Sequence, residues 1–213
     1  MKRQIALLLS ATLALALPGL AAAHEGHTAS SSATATLADT QAAMRDLWLG
    51  HVFWVRNVVD ARFEGNANEA KTAEQQVVAN AKAIAAAIEP FYGQAASGKL
   101  FGLLAGHWGA ISEYLDATRA SNKTSQDAAF KKLLANADEI AVFLGGANPN
   151  LPVDTLRSLL TAHGAHHVQQ IQQYKAGQFD QEAKTWEAMK NHMYVIADAL
   201  AGGIAKQFPD KFR

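Results

Sequence analysis

Leu47-Trp48-Leu49-Gly50-His51-Val52-Phe53-Trp54-Val55-Arg56-Asn57 is the stretch whose reading decides the fold. Leu47, His51, Trp54 and Val58 fall at spacings of 4, 3 and 4, which line one face of an α-helix. The stretch then recurs in outline. His51 is followed 56 residues later by His107, and after another 56 by His163. Leu47, Leu103 and Leu159 stand four residues before each histidine, and Val59, Leu115 and Ile171 eight after. Asn80, Asn136 and His192 keep the same offset, as do Ile84, Ile140 and Ile196, then Ile88, Leu144 and Leu200. No gap is needed. A period of this length is one supersecondary unit used three times, so the three histidines occupy equivalent places.

Outward from that stretch the pattern stays helical, with no alternating strand. The spacing predicts a first helix over about 37–64, ended by Gly65, with Asn66 or Asn68 placed to cap the next. A second carries Val77, Ala81, Ile84 and Ile88 and closes at Pro90 and Gly93. A third starts near Ser97 with Leu100, Leu104, His107, Ile111 and Tyr114 on one stripe, and a fourth near Ser125 with Leu133, Ala137, Ile140 and Leu144. Gly145-Gly146-Ala147-Asn148-Pro149-Asn150 is a break. The fifth follows Pro152, tolerated in a first turn, and shows Leu156, Leu160, His163, His167 and Ile171. Asp180 is placed to cap the sixth, which carries Met189, Met193, Ile196 and Leu200 and ends at Gln207-Phe208-Pro209. The expectation is an all-α protein: a six-helix bundle of three antiparallel hairpins. A lone hairpin cannot bury its apolar stripe, and short connections favour antiparallel neighbours. A right-angled array is the other arrangement, but three repeats leave little room for it.

The N-terminus stands apart. Lys2 and Arg3 precede an apolar run from Ile5 to Leu17, then Pro18, Gly19 and Ala21-Ala22-Ala23. This reads as a secretory signal peptide over 1–23, too short for a good membrane span. Residues 24–36, rich in Ser, Thr and Ala, read as a flexible leader, and 37–213 as the bundle domain. Removing 23 of the 213 residues leaves 190 beginning at His24, with 17 basic against 19 acidic side chains. That length supports one domain with its own core. The charge balance offers no footprint for nucleic acid. No cysteine is present, which removes thiolate metal sites, thiol redox chemistry and covalent haem attachment. The expected location is periplasmic or secreted, with no membrane span once the signal is removed.

The histidines carry what chemistry the sequence suggests. Imidazole suits Zn²⁺ or Cu²⁺, and helical bundles build metal sites from inward side chains on facing helices. His163 and His167 are four apart on one face, a spacing that can chelate one ion, with His166 beside them. Folding the first hairpin about residue 65 sets His51 level with Asn80; the same operation pairs His107 with Asn136 and His163 with His192. A polar layer of those four histidines and two asparagines would cross the bundle. The competing reading makes each repeat histidine a core residue that donates to a backbone carbonyl or to its asparagine. In the leader, the free amine of a mature His24 with the His24 and His27 rings suits Cu²⁺ or Ni²⁺. The candidate metal ligands are therefore His24, His27, His51, His107, His163, His167 and His192, with copper or zinc as the ion.

Other chemistries lack their motifs. There is no Glu-x-x-His pair of the di-iron type, no H-E-x-x-H, no G-x-S-x-G, no phosphate loop and no dinucleotide fingerprint. No catalytic residue is assigned. Asp60 and Asp116 are equivalent in the repeat, but Gln172 follows in the third copy, so they read as polar helix positions. Trp54, Arg56 and Asn57 could form a binding edge, although Trp54 sits on the apolar stripe.

Several segments resemble a family of small bacterial all-helical proteins: 47–57 as quoted above, Pro90-Phe91-Tyr92-Gly93, Ala147-Asn148-Pro149-Asn150, and Lys206-Gln207-Phe208-Pro209-Asp210-Lys211-Phe212. The resemblance covers most of 40–213. It implies a helical fold and no defined activity. Some members are labelled glycosyltransferase or acetylglutamate kinase, and both labels conflict with this sequence, since either enzyme needs an α/β core that the periodicity excludes. The functional expectation is an exported copper- or zinc-binding bundle of the bacterial envelope, its partner the metal ion or an envelope protein. The alternative is a non-catalytic structural or interaction bundle whose histidines serve packing.

Overall fold

The computed structural model describes residues 36–212. They form five α-helices: α1 (Leu37–Glu64), α2 (Ala67–Arg119), α3 (Lys123–Ala147), α4 (Val153–Lys175) and α5 (Phe179–Gln207). A single 3₁₀ turn, Pro209–Lys211, follows. Among the described residues there is no strand, and no helix is long and apolar enough to cross a membrane.

Local chemistry accounts for most boundaries. Thr36 opens α1 with a capping box, its hydroxyl accepting from the Asp39 N–H at 3.1 Å while its own N–H donates to the Asp39 carboxylate at 3.2 Å. Gly65 ends α1 with φ 78°, a left-handed conformation that costs glycine nothing. Asn66 then caps α2 by accepting from the Glu69 N–H. Asn122 does the same for α3 toward Ser125, so that helix begins two residues before the position expected for it. Asp180 does not cap α5. The helix starts at Phe179 and Asp180 lies inside its first turn, where its charge favours the N-terminal dipole.

The helix count differs from expectation. The boundary foreseen at Pro90–Gly93 falls inside α2, where only Gly93 leaves helical geometry, at φ 81° and ψ 170°. No loop intervenes, because one glycine in a conformation closed to other residues is enough to turn the chain. The turn is large. Arg62 of α1 bonds both Glu74 at 3.1 Å and Ser112 at 2.9 Å. In a straight helix those two positions would lie about 57 Å apart, so α2 doubles back at Gly93 into two side-by-side arms, 67–92 and 94–119.

The core is split in two by a polar layer. One apolar cluster holds Trp48, Ile84, Leu100, Leu104, Ile140, Leu160, Met193 and Ile196 among others. The second holds Val55, Val58, Val77, Ile111, Leu115, Leu133 and Ile171. On the second arm of α2 and on α4 the residues of one cluster precede a buried histidine and those of the other follow it, and α1 keeps that order apart from Val52, which follows His51 but packs in the first cluster. Ion pairs tie the ends of the chain together. Arg45 grips Asp198 of α5, and Arg56 holds the buried Glu182 through both carboxylate oxygens at 2.7 and 2.6 Å.

Candidate metal centre

Each repeat histidine sits on an inward stripe, so burial of its helix carries the ring to the bundle axis. His51, His107 and His163 are each 3 % exposed or less. Their ring centroids lie 5.9, 5.5 and 5.3 Å apart, which places the three equivalent residues at one height. The fourth ring is His167, one turn further along α4, with its centroid 4.6 Å from that of His163 and 6.2 Å from that of His107. In the other two copies its place is taken by Val55 and Ile111, both buried and apolar. One ring nitrogen from each of the four residues lies within 4.8 Å of the other three.

Three ligands around a near-threefold axis with a fourth set off along that axis approximate a tetrahedron. In a closed tetrahedral site with metal–nitrogen bonds of about 2.0–2.1 Å, ligand nitrogens are about 3.4 Å apart and ring centroids about 5.2 Å apart. The observed centroid separations, 4.6 to 6.2 Å, straddle that value. Side-chain shifts of about 1.4 Å or less would close the nitrogens onto one ion. The layer before the cluster is Trp48, Leu104 and Leu160, all buried, with the Trp48 and His51 rings 6.3 Å apart. The arrangement therefore brings four imidazole nitrogens, one from each ring, to one buried point.

Most of the cluster's ring nitrogens are unpaired within the protein. Five buried ring nitrogens have no hydrogen-bond partner: Nε2 of His51, His107 and His167, and both nitrogens of His163. An unpaired buried polar group costs about 1–3 kcal/mol, a cost that Trp48 Nε1, Asn80 Oδ1 and Gln173 Oε1 share. Only His107 shows the pairing the packing reading predicts, its Nδ1 lying 3.2 Å from Asn136 Oδ1. The amide oxygen accepts, so Nδ1 carries the hydrogen and Nε2 presents its lone pair toward the cluster, as an outer-shell partner orients a metal ligand. Burial holds His51 down to about 3 and His107 to about 4, and drives His163 and His167 well below the usual histidine range. Neighbouring rings add to the effect at His51, His163 and His167. All four rings are neutral at pH 7, the form that binds metal.

Not every candidate joins the cluster. His192 is half-buried and stands outside it, with Nε2 2.8 Å from the Leu159 carbonyl oxygen. Asn80 and Asn136 bond the equivalent carbonyls, Leu47 at 2.9 Å and Leu103 at 3.0 Å. The three residues thus share one role, a clamp on the backbone four residues before each repeat histidine. Asn80 does not reach His51, and its Oδ1 is left without a partner. His24 and His27 lie outside the described residues. Gly50 and Gly106 went unread in the sequence. A Cβ at Gly50 would come 2.9 Å from Asn80 Nδ2, and one at Gly106 3.2 Å from Asn136 Nδ2. The glycine immediately before two of the three repeat histidines was the available signal.

Comparison of the chain with protein-family models, curated proteins and solved structures found no match.

Proposed function

We propose that this chain is an exported metal-binding protein of the bacterial envelope, in which His51, His107, His163 and His167 hold a single copper or zinc ion. The observation that carries the reading is the convergence of five partnerless buried ring nitrogens within one four-histidine cluster. All-nitrogen, near-tetrahedral coordination suits Zn²⁺, and imidazole also suits copper. A closed site favours storage, transfer or structural use of the ion over catalysis, since no ligand position is left for a substrate. The reading also takes the bundle as three copies of one hairpin, with the two arms of α2 counted separately. Each copy then supplies one histidine, and the third adds His167. Export rests on the segment from Lys2 to Ala23.

The test is metal analysis of the protein purified without added chelator, followed by Zn²⁺ and Cu²⁺ titration of the stripped chain. One core ion per chain is expected. His167→Ile, which restores the residue of the second copy, should weaken that binding at least about 100-fold, since one of four ligands is gone. Binding of neither ion by the wild-type core would return the histidines to a packing role.

A further inference from the structure

Three of the third copy's histidines have no counterpart in the other two. His167 replaces Val55 and Ile111, His166 replaces Trp54 and Ala110, and His192 replaces Asn80 and Asn136. The first completes the core cluster. The other two face each other outside it, one on α4 and one on α5, with ring centroids 5.6 Å apart and planes inclined at 59°. Both rings are half-buried, so solvent reaches them.

Their chemistry is specific. The Leu159 carbonyl can only accept, so His192 Nε2 carries the hydrogen of that 2.8 Å bond and Nδ1 keeps its lone pair. A histidine that donates to a backbone carbonyl through one nitrogen and offers the other is the usual oriented metal ligand. The asparagines of the first two copies hold the same carbonyl but add no imidazole nitrogen, so exchanging asparagine for histidine keeps the clamp and adds a ligand. No hydrogen bond ties the His166 ring among the described residues. Two imidazoles on one ion at a tetrahedral angle have centroids about 5.2 Å apart, close to the separation seen here. Water can fill the remaining positions at a half-exposed site. The pair also adjoins the core, since His166 directly precedes His167 and the carbonyl held by His192 belongs to Leu159, one turn before His163.

We propose that His166 and His192 form a second, outer site for a divalent cation of the zinc or copper class, from which the ion passes to the four-histidine centre. The transfer step rests on the core reading above; the outer site does not. The experiment uses the full chain with His24→Ala and His27→Ala in every arm, which silences the leader. Zn²⁺ calorimetry on this background should show two sites. His192→Asn, which keeps the carbonyl clamp in the form the other copies use, should weaken the outer site at least about tenfold and leave the core affinity within about threefold. His166→Ala, which restores the residue of the second copy, is the independent second variant and should do the same. Loading of the core, followed by stopped-flow appearance of tetrahedral Co²⁺ absorption, should slow about tenfold in both. A single site that both variants leave untouched would overturn the outer site while the core stands. A single site that both variants abolish and His167→Ile retains would support the outer site and overturn the core. An unchanged loading rate in both variants would overturn the transfer step.

Discussion

Replacing His167 by isoleucine should stabilise the metal-free protein and weaken its response to zinc. The two effects have opposite signs, which makes the variant decisive. In the absence of metal, His167 buries a ring nitrogen with no partner, 3 % exposed as a residue. Removing that orphan should return about 1–3 kcal/mol, because deleting an unsatisfied buried polar group in favour of an apolar one of similar size is neutral or stabilising. Val55 and Ile111 already fill the equivalent places in the other copies, so the volume suits the site. With zinc the order reverses. At free Zn²⁺ about a thousandfold above its dissociation constant, an ion bound only by the folded state adds about 4 kcal/mol to wild-type stability. For a domain of this size that raises Tm by about 8–16 °C. The assay is thermal unfolding by circular dichroism at pH 7.5, with chelator and over a series of buffered Zn²⁺ concentrations. Wild type should rise in Tm with the logarithm of free zinc, and His167→Ile should start higher and rise less, its core contribution displaced to about 100-fold higher free zinc. A variant that loses about 2 kcal/mol or more without metal, beside a wild type indifferent to zinc, would refute the reasoning and make His167 a packing residue.

Acid should unfold the metal-free protein in a window set by the core histidines. An unfolded histidine takes up its proton near 6.5, whereas His51 and His107 in the fold resist until about 3 and about 4. Below pH 6.5 the unfolded chain therefore binds more protons and stability falls as pH falls, by about 4 kcal/mol at pH 5 from these two residues alone; urea titrations with chelator at pH 7.5 and 5 check the sign and the size. Gly203→Ala should destabilise by about 1–3 kcal/mol, since its Cβ would lie 2.6 and 2.8 Å from two carbons of the buried Leu151 side chain; urea unfolding reads this directly. The leader should bind Cu²⁺ through the amine and ring of a mature His24, with His27 contributing. A form retaining Ala23 and a form starting at Thr28 should both bind more weakly in calorimetry, and N-terminal sequencing of the exported protein should begin at His24.

The 56-residue period and the helical spacing around it were enough to place His51, His107 and His163 on equivalent inward stripes, because both signals are local and each copy repeats them. The cap at Asn66, the stop at Gly65 and the break before α4 were legible for the same reason: each depends on a few neighbouring residues. Gly93 was legible as a boundary, but not as a reversal made by one residue, which depends on a backbone conformation that glycine permits without requiring. Which rings meet in one cluster was decided by tertiary structure. His167 and His192 are both helical residues near the level of His163, and hairpin arithmetic alone favoured His192. How α5 is rotated about its own axis decides that ring's direction, and packing against α1 and α4 sets that rotation. In the fold, His192 turns to the Leu159 carbonyl, while the α4 stripe carries His167 into the space between the two apolar clusters. Which nitrogens lack partners is likewise a property of six packed segments brought together from distant parts of the chain, and no single helix encodes it.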